Sequence, residues 1–149
     1  MSKIRHKYLL AVAAFMLVFV NGIHAQENFQ INKVFETYGK KKGSTMVVFS
    51  GKTLDNYKLK KYRSITLAYD SAASQLIQES LEADREGAHK IKEVINSGII
   101  TSGYYQILSD NKKGYRYILF KVGNDGTATL IFMEGDIDSE ELISRLFLK

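Results

Sequence analysis

Residues 115–133 read Tyr-Arg-Tyr-Ile-Leu-Phe-Lys-Val-Gly-Asn-Asp-Gly-Thr-Ala-Thr-Leu-Ile-Phe-Met. Two runs rich in β-branched and aromatic residues flank a loop, residues 123–126, whose residues tolerate positive φ, and this pattern predicts a β-hairpin. Side chains alternate between the faces of a strand, so Ile118, Phe120 and Val122 share one face. The matching positions of the second run are Ala128, Leu130 and Phe132. Apolar and polar residues alternate only weakly, so we expect both faces to be at least partly covered, as in the central strands of a sheet.

Apolar spacing predicts three helices around this hairpin. The first has Ile31, Val34, Phe35 and Tyr38 at helical spacing and ends near Gly39. The second follows Asp70, a suitable N-cap, and carries two apolar stripes separated by Gly87, so we expect helix to continue as far as residue 96. The members of the second stripe are Ala88, Ile91, Val94 and Ile95. The third helix follows Asp138, with Glu141 three positions on as an acidic capping box.

Three further segments, residues 45–50, 64–69 and 99–108, are predicted strands, and residues 109–114 form a turn into the hairpin. Residues 51–63 fit neither the helical nor the strand period. The order of elements predicts an α+β domain. We expect a mostly antiparallel sheet of about five strands that ends in a C-terminal β-meander, with helices packed on one face and a different covering, such as a partner chain, on the other.

The N-terminus has the features of a signal peptide. Lys3, Arg5 and Lys7 precede an uncharged apolar run, residues 8–20, and Ala25 is a small residue suited to cleavage. At 1.5 Å per residue this run is too short to cross ~30 Å of hydrocarbon. We therefore predict a cleaved signal peptide, residues 1–25, and a single mature domain, residues 26–149, with no stable membrane span. The expected location is the periplasm, the cell surface or the medium.

The charges are unevenly distributed along the chain. The sequence has 21 Lys and Arg against 16 Asp and Glu, and three of the cations lie in the signal peptide, which leaves 18 against 16. This surplus is too small to indicate nucleic-acid binding. Residues 30–63 hold nine cations against two acids, whereas residues 64–149 hold nine against thirteen. We therefore expect one end of the domain to be basic and the remainder acidic.

Few groups in the sequence can carry chemistry. The chain has no cysteine, and His89 is the one histidine of the mature domain, so thiol chemistry and histidine-rich metal sites are excluded. The acids near residue 138 lack the spacing of a calcium loop and fit a capped helix start. We predict no cofactor, no metal site and no catalytic residue. Paired carboxylates of a hydrolase acting on envelope or dietary polymers are the alternative, because their separation is spatial.

One segment interleaves cations with aromatic residues, a pattern that can hold anionic polymers or glycans by charge and stacking. Its candidate binding residues are Tyr57, Lys58, Lys60, Lys61, Tyr62 and Arg63. The alternative interpretation is a solvated face whose tyrosines pack inward. The expected partner is a protein or an anionic component of the envelope, and a homodimer through the second sheet face is a further hypothesis.

The chain resembles a family of small exported domains of unknown function from Gram-negative gut and soil bacteria. The resemblance rests on Val34 and Phe35, on the strand of residues 46–49, and on three segments of the C-terminal half. Those segments are residues 117–120, residues 124–126 and residues 140–143. It implies an exported α+β domain and supplies no catalytic residues. We therefore expect a non-enzymatic domain that binds a partner at the cell envelope.

The signal-peptide prediction can be checked by intact mass. Protein recovered from the envelope fraction should begin at Gln26 or within a few residues of it, because the apolar run ends shortly before Ala25. A cytoplasmic product that retains Met1 would contradict the prediction.

Overall fold

A computed structural model of the protein describes residues 29–107 and 114–147. The predicted signal peptide and most of the turn predicted at residues 109–114 lie outside these residues. The helices of the described part are α1 (Asn32–Tyr38), α2 (Lys52–Asp55), α3 (Ser71–Asp84) and α4 (Ser139–Phe147). Its strands are β1 (Thr45–Phe49), β2 (Leu59–Ala68), β3 (His89–Asn96), β4 (Ile99–Ile107), β5 (Tyr115–Val122) and β6 (Thr127–Gly135).

The described strands form one antiparallel sheet in the order β1-β2-β6-β5-β4-β3, so the fold is α+β with the predicted hairpin at its centre. The hairpin loop is closed by Gly123 N, which donates to Thr127 O at 2.8 Å. The Asp125 carboxylate accepts from the backbone N–H of Thr127 and from its hydroxyl, at 3.1 and 2.6 Å. Gly126 has φ of 79°, a conformation that residues with a Cβ rarely adopt. The loop thereby fixes the register in which Val122 pairs with Ala128.

The two faces of the hairpin are buried in two separate clusters. On the first face, the predicted set Ile118, Phe120 and Leu130 is buried with residues of α1 and α3. On the second face, Tyr117 and Met133 are buried with residues of α2 and α4. Helices therefore pack on both faces of the sheet and not, as expected from the sequence, on one face only. Short helices at the end of the chain and before β2 cover part of the second face, because its aromatic residues also need burial.

The largest correction concerns residues 88–96, which were predicted to continue the second helix. Helix α3 ends at Asp84, with Arg85 as its C-cap, and Gly87 then turns the chain at φ of 74°. The residues that follow form β3, paired antiparallel with β4. Ile91, Val94 and Ile95 are β-branched, and pairing with β4 outweighs the helical spacing of the segment. This strand raises the sheet from the expected five strands to six.

Residues 51–63, which fitted neither period, contain two different elements. They form α2 and then the first half of β2, with Lys58 at φ of 58° between them. The pairing of β2 with β6 shifts register between Leu59 and Lys61. This bulge breaks the alternation of side chains, which is why the sequence pattern shows no clean strand period.

Three helix termini agree with the sequence signals, namely the starts of α3 and α4 and the end of α1. The Asp70 carboxylate accepts from Ala73 N at 2.9 Å, and the Asp138 carboxylate accepts from Glu141 N at 2.8 Å. Helix α1 ends at Tyr38, with Gly39 as its C-cap. Within the described residues, no helix combines the length and the apolar character needed to cross a membrane.

The central position of the hairpin predicts the outcome of two matched substitutions. Phe132→Ala removes a side chain that is 6% exposed and should lower the free energy of unfolding by ~3–5 kcal/mol. Phe49→Ala removes the same side chain at the sheet edge, where Phe49 is 46% exposed. This substitution should lower the free energy of unfolding by roughly 1 kcal/mol or less. Urea unfolding of both variants measures the difference, and equal effects would contradict the central role of the hairpin.

Candidate functional site

A groove of about 520 Å³ opens on the first face, at the end of the sheet where β2 and β5 begin and β1 and β6 end. We call it the basic groove, because four cations and one carboxylate are among the described residues that line it. The cations are Lys60, Lys61, Arg63 and Arg116, and the carboxylate is Glu134. Asn32 contributes from the start of α1 and Phe29 from the segment before it, while Val48 and Phe49 contribute from β1 and Ser50 from the position after it.

Arg63 is the cation of this groove with the most unusual surroundings. Its guanidinium carbon lies 4.3 Å from the centroid of the Phe35 ring and 5.4 Å from that of Phe132. No carboxylate lies within 4.0 Å of it in the described part of the chain. Burial lowers the pKa of Arg63, and the more distant charge of Glu36 acts in the opposite direction. An arginine stays charged in any such setting, so Arg63 presents a partly desolvated cation held by two aromatic rings.

The other cations share few counter-charges. Lys61 Nζ and Arg116 Nε both lie near the same Glu134 oxygen, at 3.8 and 3.9 Å. Lys60 Nζ lies 3.8 Å from Asp136, and both of these side chains are exposed. These distances exceed those of a direct hydrogen bond, and ion pairs of exposed lysines such as Lys60 and Lys61 contribute little. The groove therefore keeps a net positive charge.

The structure brings together four of the six candidate residues proposed from the sequence, namely Lys60, Lys61, Tyr62 and Arg63. Tyr62 also packs against Phe49, with ring centroids 5.4 Å apart. Tyr57 and Lys58 do not line the groove. Tyr57 is exposed, and Lys58 donates to Glu141 of α4 at 3.2 Å.

Sequence reasoning missed the residues that reach the groove from other elements. Arg116 arrives because β5 pairs with β6 and places it opposite Glu134, while its guanidinium lies 5.7 Å from the Phe29 ring. Asn32 Oδ1 is buried without a hydrogen-bond partner among the described residues, and such an oxygen can accept from a bound group. The one sequence signal for Arg116 is its charge, which is opposite to that of Glu134 at the paired position of the hairpin.

A second concavity, of about 790 Å³, lies on the second face beside α4. Its apolar lining includes Ile91, Tyr104, Leu119, Ile131 and Ile143. The hypothetical homodimer through the second sheet face would use this surface. Helices α2 and α4 already cover part of that face, and no feature of the described residues indicates a particular occupant.

A partly buried polar cluster joins the C-terminal end of α3 to β3 and β4. Arg85 donates to both oxygens of Glu93, at 3.0 and 2.9 Å, and the Tyr105 hydroxyl donates to Glu93 at 2.6 Å. The Tyr105 ring lies so close to Gly103 that a Cβ there would be 2.5 Å from a ring carbon. These interactions hold Glu93 between two elements, so we interpret the cluster as structural.

The C-terminal acids, Glu134 to Glu141 in the sequence, are dispersed. Glu134 and Asp136 face cations of the basic groove, Asp138 caps α4, and Glu141 binds Lys58 and Arg145. No group of three or more potential metal-ligating side chains occurs in residues 29–107 and 114–147.

These features define an α+β domain with a basic surface groove. The chain belongs to DUF6108, a family of unknown function, whose family model matches residues 18–146. No curated protein matches the chain. The resemblance to a family of unknown function is thus confirmed at that level, while export stays a prediction.

The polar cluster predicts a pH-dependent stability. Burial acts to raise the pKa of Glu93, but the hydrogen bond from Tyr105 and the charges of Arg85 and Lys90 outweigh it and leave the pKa lowered. A carboxylate with a lowered pKa stabilises the fold above its unfolded pKa, and this stabilisation is lost as the pH falls through the folded pKa. Glu93→Gln should therefore destabilise by roughly 1–3 kcal/mol at neutral pH.

Between neutral and acidic pH this difference should shrink, because Glu93 becomes protonated as the pH falls through its lowered pKa. Urea unfolding at the two pH values measures it, with Glu86→Gln, an exposed glutamate, as the matched control. A Glu93→Gln effect that is independent of pH would contradict the assigned ionisation.

Proposed function

We propose that this protein is an exported, non-enzymatic binding protein that holds an anionic partner at the cell envelope through the basic groove. The observation that carries the proposal is Arg63, a half-buried cation between Phe35 and Phe132 with no carboxylate within 4.0 Å among the described residues. Partial burial of a charge is unfavourable unless a counter-charge approaches it. A carboxylate, phosphate or sulfate on the partner would supply that counter-charge.

The surroundings of Arg63 favour a partner with an apolar part beside its anionic group. Phe29, Val48 and Phe49 lie in the same groove as the four cations. Aromatic and aliphatic surface next to an arginine stabilises a ligand by burial, while the cation fixes its orientation. The excess of positive charge also attracts negatively charged surfaces at long range, an effect that is screened by salt.

The non-enzymatic part of the proposal is supported by two partly buried carboxylates, which are hydrogen-bonded to groups of the fold itself. Glu93 is bound by Arg85 and Tyr105. Asp84 accepts the backbone N–H groups of Gln30 and Ile31, both at 2.8 Å, and so ties the start of α1 to the end of α3. Each of these carboxylates has a structural role. No specific observation favours the hydrolase alternative.

The proposal predicts a charge-specific loss of binding. Wild type should bind polyglutamate or anionic phospholipid vesicles, but not neutral vesicles, and binding should weaken as salt is raised. The double variant Arg63→Gln/Arg116→Gln should bind at least about tenfold more weakly. This magnitude follows because hydrogen bonds to charged groups contribute roughly 1.5–3 kcal/mol each and 1.4 kcal/mol is a factor of ten.

Two further variants make this test specific. Lys60→Gln/Lys61→Gln changes only exposed cations of the groove and should weaken binding without altering the melting temperature. Lys92→Gln/Lys121→Gln makes the same change in net charge at exposed positions outside the basic groove, and should bind like wild type. Equal losses in the groove and control variants, or no salt-dependent binding by wild type, would overturn the proposal.

A further inference from the structure

The outer edge of the sheet next to the basic groove is apolar and exposed. All five residues of β1 are exposed, and residues 46–49, Met-Val-Val-Phe, are between 36% and 60% exposed. Strand β1 pairs with β2 on one side, and no described strand pairs with its other side. Its outward N–H and C=O groups are therefore a template onto which another extended segment can add.

The opposite edge of the sheet, strand β3, has features that protect it against pairing with another strand. Strand β3 carries Lys90, Lys92 and Glu93, and its pairing with β4 shifts register at two places. Charges and bulges of this kind block strand addition. Strand β1 has no charged residue, and its register with β2 is continuous from Thr45 to Phe49. It therefore keeps a regular edge that can accept another strand.

Charge at the two ends of β1 indicates which kind of strand fits. Lys40, Lys41 and Lys42 precede it and Lys52 follows it, all exposed. None of the four has a carboxylate within 4.0 Å in the described residues. A strand with acidic residues at both ends and apolar residues in its middle would therefore be complementary along its whole length.

The same charges disfavour a second copy of the chain. Two β1 strands that pair antiparallel about Val47 would bring the end of one strand that follows Lys42 near the end of the other that precedes Lys52, twice in a symmetric dimer. Like charges at opposed positions destabilise a strand pair. Self-association through this edge is therefore less favourable than pairing with an acidic segment.

The basic groove adjoins this edge. Val48, Phe49 and Ser50 belong both to the C-terminal end of the β1 region and to the lining of the groove. A segment added to β1 would therefore run past the mouth of the groove, where Lys60 and Lys61 are exposed. Acidic side chains at one end of the segment would meet these groove cations, and those at the other end would meet Lys40, Lys41 and Lys42.

We infer that the anionic partner is an extended, acidic peptide segment of another protein, which adds to β1 as a seventh strand of the sheet. This inference rests on the proposed function and specifies the partner of the same groove. Backbone hydrogen bonds to β1 supply the alignment, apolar side chains pack on residues 46–49, and glutamates or aspartates at the ends supply the selectivity.

The first test uses synthetic peptides as probes. A labelled peptide with the sequence Glu-Glu-Thr-Val-Thr-Val-Thr-Glu-Glu should bind, and the version with lysine in place of every glutamate should bind roughly tenfold more weakly or not at all. In the complex, the outward amide protons of residues 45–49 should exchange with solvent roughly tenfold more slowly than in the free protein, as measured by NMR, because they become hydrogen-bonded.

Two proline variants test the role of the edge itself. Amide groups of neighbouring residues in a strand point in opposite directions, so either Val47 or Val48 directs its N–H away from β2. Two variants, Val47→Pro and Val48→Pro, are compared by their melting temperatures. The variant that melts like wild type is the one whose proline removes an outward N–H, because that N–H is not bonded to β2. That variant should bind the acidic peptide roughly tenfold more weakly, whereas its groove cations are unchanged.

The outcomes separate this inference from the proposed function. If the acidic peptide binds without protecting residues 45–49 and the tolerated proline variant binds equally well, strand addition is overturned while the basic groove keeps its proposed role. If vesicles bind and the acidic peptide does not, the peptide partner is overturned. A molecular mass equal to two chains, measured by light scattering for wild type but not for the tolerated proline variant, would overturn the peptide partner in favour of a second copy. Slower amide exchange at residues 45–49, together with weaker peptide binding by that variant, supports strand addition.

Discussion

Side-chain alternation along the β5–β6 hairpin is the constraint on which the rest of the structure depends. Both strands carry large apolar residues on both faces, so the hairpin exposes unburied surface unless each face is covered. Helices α1 and α3 cover the first face and α2 and α4 cover part of the second. The two clusters share no residues, and the sheet between them is the common element.

An open sheet built outward from a central hairpin necessarily ends in two edges, and the two edges here are treated differently. The β3 edge is charged and bulged, whereas the β1 edge is regular and apolar. A monomeric domain gains nothing in stability from an exposed Met-Val-Val-Phe edge, which is a hazard for aggregation. The apolar β1 edge lies beside the basic groove. Because these two surface features are adjacent, we assign them to one partner.

The sequence allowed most of the fold to be predicted, together with four of the twelve described residues that line the basic groove. The hairpin, α1, the caps of α3 and α4, and the strands at β1 and β4 follow from local patterns that the structure retains. Strand β3 was missed because its apolar spacing suits a helix, and only pairing with β4 decides the matter. The start of β2 was undecided because its bulge shifts the alternation at Lys61. In both cases a non-local contact overrides the local pattern.

The site was partly predictable for a related reason. Four candidate residues are neighbours along one strand, so their proximity could be read from the sequence. Arg116 and Phe29 reach the groove only through the strand order and the packing of α1. Lys58 was included by proximity in sequence, yet its positive φ turns it toward α4, where it binds Glu141. Lys58 is thus engaged in an ion pair, and Arg63 is the cation of the groove with the most unusual surroundings. It packs against two aromatic rings and has no carboxylate within 4.0 Å among the described residues. A cation held in that way is already partly desolvated before a partner arrives, so less of the binding free energy is spent on removing water from it.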